Sequence, residues 1–424
     1  MSAFTLAQKI LAAHAVTPAG EDGAEPGRIL NCRLDLVLAN DITAPPAVNA
    51  FAGMGAERVF DKRRVVLVMD HFVPQKDTAS AEQILISRRF AAAQDLDYYF
   101  EGGDAGVEHA LLPELGLVGP GDLVIGADSH TCTYGGLGAF ATGMGSTDVA
   151  AGMALGESWF KVPESIRVTF DGRLGPNVGG KDLILWTIGE LGVDGARYKA
   201  LEFDGPVVDA LPVEGRLTMA NMAVEAGAKA GLFAADPRTL EYCRKAGRAG
   251  DREIRPDPGA RYERHIRKDV TGMEPLVACP HLPENVKPVS ALKDVTLNQV
   301  VIGSCTNGRL SDMLDAAEIF AGRKVKKGLR CIILPATPGV WKSVLEAGLM
   351  TTFIDAGCII GPPSCGPCLG GHLGILAGGE RALATTNRNF RGRMGSLQSE
   401  VYLAGPRVAA ASAVTGVITD PAAL

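Results

Sequence analysis

Short runs of β-branched and aliphatic residues recur along the chain, each closed by a polar turn and followed by a stretch of helical spacing. Five such units carry reactive side chains. Arg63–Met69 leads into Asp70 and His71, and Asp122–Ile125 into Asp128, Ser129 and His130. Gln299–Ile302 leads into Cys305 and Asn307, Cys358–Ile360 into Cys365 and Cys368, and Ala382–Thr386 into Asn387 and Arg388. The runs are apolar throughout rather than alternating, which predicts strands covered on both faces in parallel sheets, an α/β fold. In open α/β sheets ligands gather outside the carboxyl ends of the strands. The five turns therefore bring Asp, His, Cys, Asn and Arg to the place where chemistry is expected.

The spacing predicts an amphipathic helix over Met1–Val16, with Leu6, Ile10 and Leu11 on one face. Lys9 and His14 interrupt its apolar character, and Glu21, Asp22 and Glu25 follow, which fits neither a signal nor a transit peptide. No run approaches the ~18 apolar residues of a membrane span. Phe160–Glu164 leads into a strand-rich stretch, Ser165–Gly172, while Arg244–Tyr262 and Cys279–Pro288 read as surface connections. With 424 residues this gives three domains, at about 1–163, 164–286 and 287–424. A formal net charge of −6 disfavours nucleic acid or an anionic membrane as partner, so an anionic substrate must be held by a few placed arginines. Nine cysteines without an export signal indicate a reducing compartment, the cytoplasm, where thiols serve metals or catalysis.

Cys365-Gly-Pro-Cys368 by itself is also a thioredoxin-type redox motif, but Ser364 rather than Trp precedes it and the chain is far longer than that fold. A structural zinc site would need a fourth ligand such as His372 or Cys358, and plain buried thiols are a further reading. The reading that uses all the strand-end cysteines takes Cys305, Cys365 and Cys368 as three thiolates on a [4Fe–4S] cluster. Electron-transfer clusters normally use four thiolates; three leave one iron open as a Lewis acid. Cys32, Cys132, Cys243, Cys279, Cys331 and Cys358 lack this context and read as packing residues, Cys132 being the nearest rival.

Ser304-Cys305-Thr306-Asn307, Cys365-x-x-Cys368, Asn387-Arg388-Asn389-Phe390-x-Gly392-Arg393 and Asp128-Ser129-His130-Thr131 together resemble the aconitase superfamily, over essentially the whole chain. The resemblance implies three α/β/α domains around one cluster per chain, and dehydration and rehydration of a small 2-hydroxy dicarboxylate. It implies an acid dyad in Asp70 and His71, a second pair in Asp128 and His109, and a third in His130 and Glu225. It casts Asn40, Ser129, Asn221 and Asn387 as substrate contacts, with Arg388 and Arg393 as carboxylate clamps, because a guanidinium fork matches a carboxylate. His14, His265, His281 and His372 keep an ordinary structural reading. So does the Gly136–Ala141 segment, which mimics a dinucleotide fingerprint but does not directly follow a strand.

Within the superfamily, the motifs around Glu108-His109 and Gly308-Arg309 resemble the two-subunit class of isopropylmalate dehydratases and homoaconitases, although Glu108 departs from the Cys of many longer bacterial isopropylmalate enzymes. The chain reaches Leu424 soon after the cluster motifs, so a swivelling domain with the serine base is expected on a separate small subunit. The implied reaction is interconversion of 2- and 3-isopropylmalate through isopropylmaleate in leucine biosynthesis, with homoaconitase or a dimethylmalate-type dehydratase as the second reading. A cluster-sensing RNA-binding protein is disfavoured by the acidic balance, and an electron carrier by the three-thiolate set.

Overall fold

In the computed structural model, which describes residues 3–18 and 23–424, the apolar runs form strands and the polar turns end them. Met1, Glu21 and Asp22 lie outside the described residues. The first helix is shorter than expected, Leu6–His14. Thr5 stops its start: its hydroxyl accepts from the Gln8 amide and the Gln8 side chain returns to the Thr5 N–H.

The first sheet has five parallel strands in the order Tyr98–Phe100, Val65–Val68, Leu36–Asn40, Leu123–Gly126, Phe140–Gly143. From Leu36–Asn40 the chain winds outward one way, then returns beside that strand and winds the other way. The switch point lies between Asn40 and Gly126. The third sheet repeats this winding, with parallel strands Ile359–Ile360, Arg330–Leu334, Gln299–Gly303, Arg381–Ala384 and Glu400–Leu403. Its switch point lies between Gly303 and Ala384. A four-stranded parallel sheet, Ala230–Phe233, Ala200–Asp204, Ser165–Asp171, Arg264–Asp269, stands between them in sequence. Every residue of Leu36–Asn40, Val65–Val68, Leu123–Gly126 and Gln299–Gly303 is buried, which is why these strands read as unbroken apolar runs.

Two features differ from the sequence reading. After Asp128 the chain forms a 3-10 helix, Ser129–Leu137, capped by the Asp128 carboxylate on the His130 N–H. Its glycines serve close packing: a Cβ on Gly135 would lie 1.8 Å from the Gly231 carbonyl oxygen. Second, Leu276–Ala278 and Val286–Pro288, inside or beside the expected connection Cys279–Pro288, are antiparallel strands of the third sheet. At three residues each they carry no readable period. On sheet membership we propose the second boundary at about 270–275 rather than 286/287, and keep the first near 163.

The sheets share their cores. One apolar cluster runs from Val168 and Phe203 to Val301, Leu334 and Ala384, and another joins Val37 and Leu67 to Ala200 and Leu232. No helix among the described residues is long and apolar enough to cross a membrane.

Candidate active site

The Gln299–Gly303 strand ends in a reversal, Gly303 at φ 145° and Ser304 at φ 72°. A serine at positive φ is strained, and such strain persists only where the surroundings enforce it. Here the Gly303 N–H donates to Thr385 Oγ1 at 2.9 Å, and a side chain on Gly303 would meet the Leu334 carbonyl at 2.2 Å. The turn sends Cys305 inward. Its sulfur receives two amide donors, Asn221 Nδ2 at 3.3 Å and Asn387 Nδ2 at 3.2 Å. The Cys365 N–H donates to the Asp70 carbonyl at 3.0 Å, which ties the cysteine loop of the third sheet to the strand end of the first. Cys365 and Cys368 are paired as a disulfide, where the resemblance implies two thiolates; ligation takes the reduced pair. Burial pushes the Cys32, Cys132 and Cys243 thiols up to about 12, so these stay protonated.

Across from the cysteines, Asp41 gathers the backbone of the next strand end. Its carboxylate accepts from the N–H groups of His71 at 3.0 Å and Phe72 at 2.7 Å. Asp70 Oδ1 lies 2.6 Å from His71 Nδ1, and Asp70 Oδ2 accepts from the Glu108 N–H at 2.8 Å. Burial alone would lower the His71 pKa, but the charges of Asp70 and Asp41 outweigh it and hold the imidazole well above its ordinary value. His71 therefore keeps its proton at neutral pH. His109 bridges Asp128 Oδ1 at 2.9 Å and the Tyr134 hydroxyl at 3.1 Å, and burial leaves its pKa below the ordinary value. Despite burial, hydrogen bonds and charge from His109 and His130 hold the Asp128 carboxyl well below the usual carboxylate range. His130 Nε2 meets Glu225 Oε1 at 2.8 Å, and the same oxygen accepts from Arg388 Nε at 2.8 Å. One polar chain thus runs His109–Asp128–His130–Glu225–Arg388.

A narrow cavity between the two switch points is lined by His71, His109 and His130 from one sheet, and by Cys305, Cys365, Cys368 and Arg393 from the other. The Arg393 Nε in its wall has no partner within the chain among the described residues. Other expected contacts bond within the chain, Asn387 while lining the cavity. Asn40 Oδ1 accepts from the N–H groups of Ile42 and Thr43, and its Nδ2 donates to Glu108 Oε1 at 2.9 Å. Asn221 is fully buried behind Cys305, its Oδ1 accepting from Thr306 Oγ1 and Asn387 Nδ2. Ser129 lines a wider neighbouring pocket with Met144, Lys161 and Lys229. Asn40, Asn221 and Asn387 thus bond to groups of this chain: the last two donate to the Cys305 sulfur.

The Aconitase family (aconitate hydratase) model matches residues 8–416. The chain belongs to the aconitase family. It is 68% identical to a protein of Nitratidesulfovibrio vulgaris (strain DSM 19637 / Miyazaki F) named 3-isopropylmalate dehydratase large subunit, over 100% of both chains. Proteins of the same name from Desulfatibacillum aliphaticivorans (60% identity, 99% of each chain) and Moorella thermoacetica (59%, 99% of this chain and 98% of that one) are also similar. The crystal structure of Thermococcus kodakaraensis aconitase X in its holo form aligns over 92% of this chain and 96% of that one, at a TM-score of 0.49 and 13% identity, too distant to bear on the site.

Three residues in or behind this cavity are not among the site residues expected from the sequence. Asp41 follows a strand directly, a signal it shares with the residues that were found. Glu108, noted in the sequence only for standing where many related enzymes have Cys, is 1% exposed. Lys181 is 2% exposed in the apolar helix Gly180–Leu191, and donates to the Thr385 and Thr386 carbonyls at 2.7 and 2.6 Å. It thereby fastens the strand end that carries Asn387. Burial brings its pKa down to about 7.

Proposed function

We propose that this chain acts as the large subunit of a cytoplasmic 3-isopropylmalate dehydratase, interconverting 2- and 3-isopropylmalate through isopropylmaleate with a separate small subunit. The observation that carries the reading is the convergence of three strand-end cysteines, a charged His71–Asp70 dyad and Arg393 on one buried cavity. The donor set fits a [4Fe–4S] cluster. Cys305, Cys365 and Cys368 would hold it, the two amide N–H groups on the Cys305 sulfur are the hydrogen bonds that tune such clusters, and no fourth cysteine lines the cavity among the described residues. When bound, such a cluster offers an open iron as a Lewis acid for the hydroxyl and adjacent carboxylate of a 2-hydroxy acid.

The chain's own residues do the rest. His71 protonates the departing hydroxyl, while Asp70 and Asp41 keep it charged and oriented. Glu225 takes Arg388 Nε; among the described residues the two terminal nitrogens have no acceptor within the chain, so they present a fork to a carboxylate. Arg393 meets a second anionic oxygen. Asp128 and Glu225 fix His109, His130 and Arg388 relative to one another, and Asn40 holds Glu108 rather than substrate.

His71→Ala lowers turnover of the cluster-replete complex by about 10²–10⁴-fold, the usual worth of a general acid. Asp70→Asn costs less and moves the pH profile. The acid works only when protonated, so activity falls as pH rises through its pKa. Removing the Asp70 charge lowers that pKa and brings the fall to lower pH. Near-normal turnover of a cluster-replete His71→Ala enzyme removes His71 from the mechanism.

The reading itself is tested by assaying the chain co-expressed with its small subunit against isopropylmalate, homoaconitate, citrate and dimethylmalate. Isopropylmalate is the expected substrate; a clear preference for homoaconitate transfers the assignment to lysine biosynthesis.

A further inference from the structure

One buried polar atom of the cavity is left over by the assignments above. Glu108 lines the cavity, is 1% exposed, and its Oε2 has no hydrogen-bond partner among the described residues. Leaving such an oxygen unpaired is costly, so a group that enters the cavity is its natural partner. The neighbours decide which kind. Asn40 Oδ1 is fixed by two backbone donors, so its Nδ2 is the group that faces Glu108, donating to Oε1. In a neutral carboxyl group this arrangement leaves Oε1 as the carbonyl-type oxygen and places the O–H on Oε2. The Glu108 backbone N–H is already on Asp70 Oδ2, and His109 Nε2, 3.4 Å from Oε1, is directed to Asp128 at 2.9 Å.

We propose that Glu108 is a substrate-facing hydrogen-bond donor, a neutral carboxylic acid whose Oε2–H binds an anionic oxygen of the 2-hydroxy dicarboxylate. The inference rests on the dehydratase reading and adds a recognition residue to it. A site rich in negative charge keeps a carboxylic acid neutral and so able to donate. Here burial comes first and the charges of Asp70 and Asp128 on either side second, together holding the Glu108 carboxyl well above the usual range against the opposing charge of His71. His109, His130, Cys305, Cys365, Cys368 and Arg393 line the same cavity, and the Tyr134 hydroxyl donates to the Glu108 carbonyl. A donor between the two aspartates lets a dianion approach without meeting a third negative charge.

The test uses the reconstituted two-subunit holoenzyme with Glu108→Ala, Glu108→Gln and Glu108→Asp, cluster content being followed by visible absorbance. Ala lowers kcat/KM by about 10–10²-fold, the worth of one hydrogen bond to a charged group. Gln, a neutral donor of the same length, recovers most of that loss, and Asp, too short to reach, does not. Because ionisation of Glu108 removes the donor, it adds a second group to the alkaline decline set by His71, and the Gln variant, left with His71 alone, loses activity less steeply there. A Gln variant as impaired as Ala with its cluster intact overturns the proposal, since a carboxylate would then be needed. So does a Gln variant with wild-type kcat, KM and pH profile, which marks Glu108 as structural. If Ala fails to retain the cluster, the Gln and Asp variants decide by the same criteria. The comparison is made on whichever substrate the wild-type complex turns over, so a failure of the isopropylmalate reading and a failure of the Glu108 reading remain separate results.

Discussion

Anaerobically purified Cys305→Ser protein is expected to be colourless and to give no turnover when the small subunit is added, and Cys365→Ser and Cys368→Ser to behave alike, whereas Cys243→Ser stays brown and is active with the small subunit. The contrast follows from what surrounds each sulfur. Cys305 carries two amide N–H donors and faces the cavity shared with His71, the setting that stabilises a charged, metal-bound sulfur. Cys243 packs with Leu137, Val213 and Leu217, and burial pushes its thiol up to about 12. With three thiolates and no fourth, one iron is held less firmly than the rest, so brief exposure to oxygen should leave a three-iron form visible by electron paramagnetic resonance. Iron and sulfide analysis with the visible spectrum checks each point. Stoichiometric zinc and no iron in protein matured in an iron-competent host overturns the assignment.

Much of the site was legible because strands buried on both faces leave an unmistakable apolar run, and whatever follows such a run in an α/β fold stands at the ligand-facing edge. By that logic Asp70, His71, Asp128, His130, Cys305, Cys365 and Arg388 stand out from the sequence alone. It could not say where side chains aim. Asn387 lines the cavity and Asn221 stands behind Cys305, but an amide's direction depends on partners far away in sequence, and both donate to the Cys305 sulfur. Nor could it see burial imposed from outside an element. Lys181 and Glu108 sit where a solvated charge is ordinary, and only the packing of another sheet over them makes them unusual. The paired switch points were invisible for a similar reason: the first and third sheets share a winding order without sharing a repeat in sequence.

Cluster-replete large subunit alone is expected to show essentially no turnover, and addition of the small subunit to raise it by orders of magnitude. The cavity holds a charged acid, Arg393 and the cysteines, but a dehydration also needs a group to take up the C–H proton beside the leaving hydroxyl. Within this chain the candidates are poor. His71 is held in its protonated form by two aspartates, and His109 is committed to Asp128 and Tyr134. No serine lines the cavity among the described residues. Ser399 donates to the Ser396 carbonyl at 2.7 Å and Ser396 Oγ accepts from the Gln398 N–H, so both serve their own turn. A base carried on a partner that closes over the substrate would supply the missing step and exclude water at once. Stabilisation of the large subunit by a partner would instead raise its melting temperature while leaving a measurable rate in the isolated chain. Titrating anaerobic, cluster-replete large subunit with purified small subunit, and following the unsaturated acid in the ultraviolet, separates the two. The rate should rise from the baseline and saturate at a fixed stoichiometry, and full activity before any partner is added overturns the two-subunit reading.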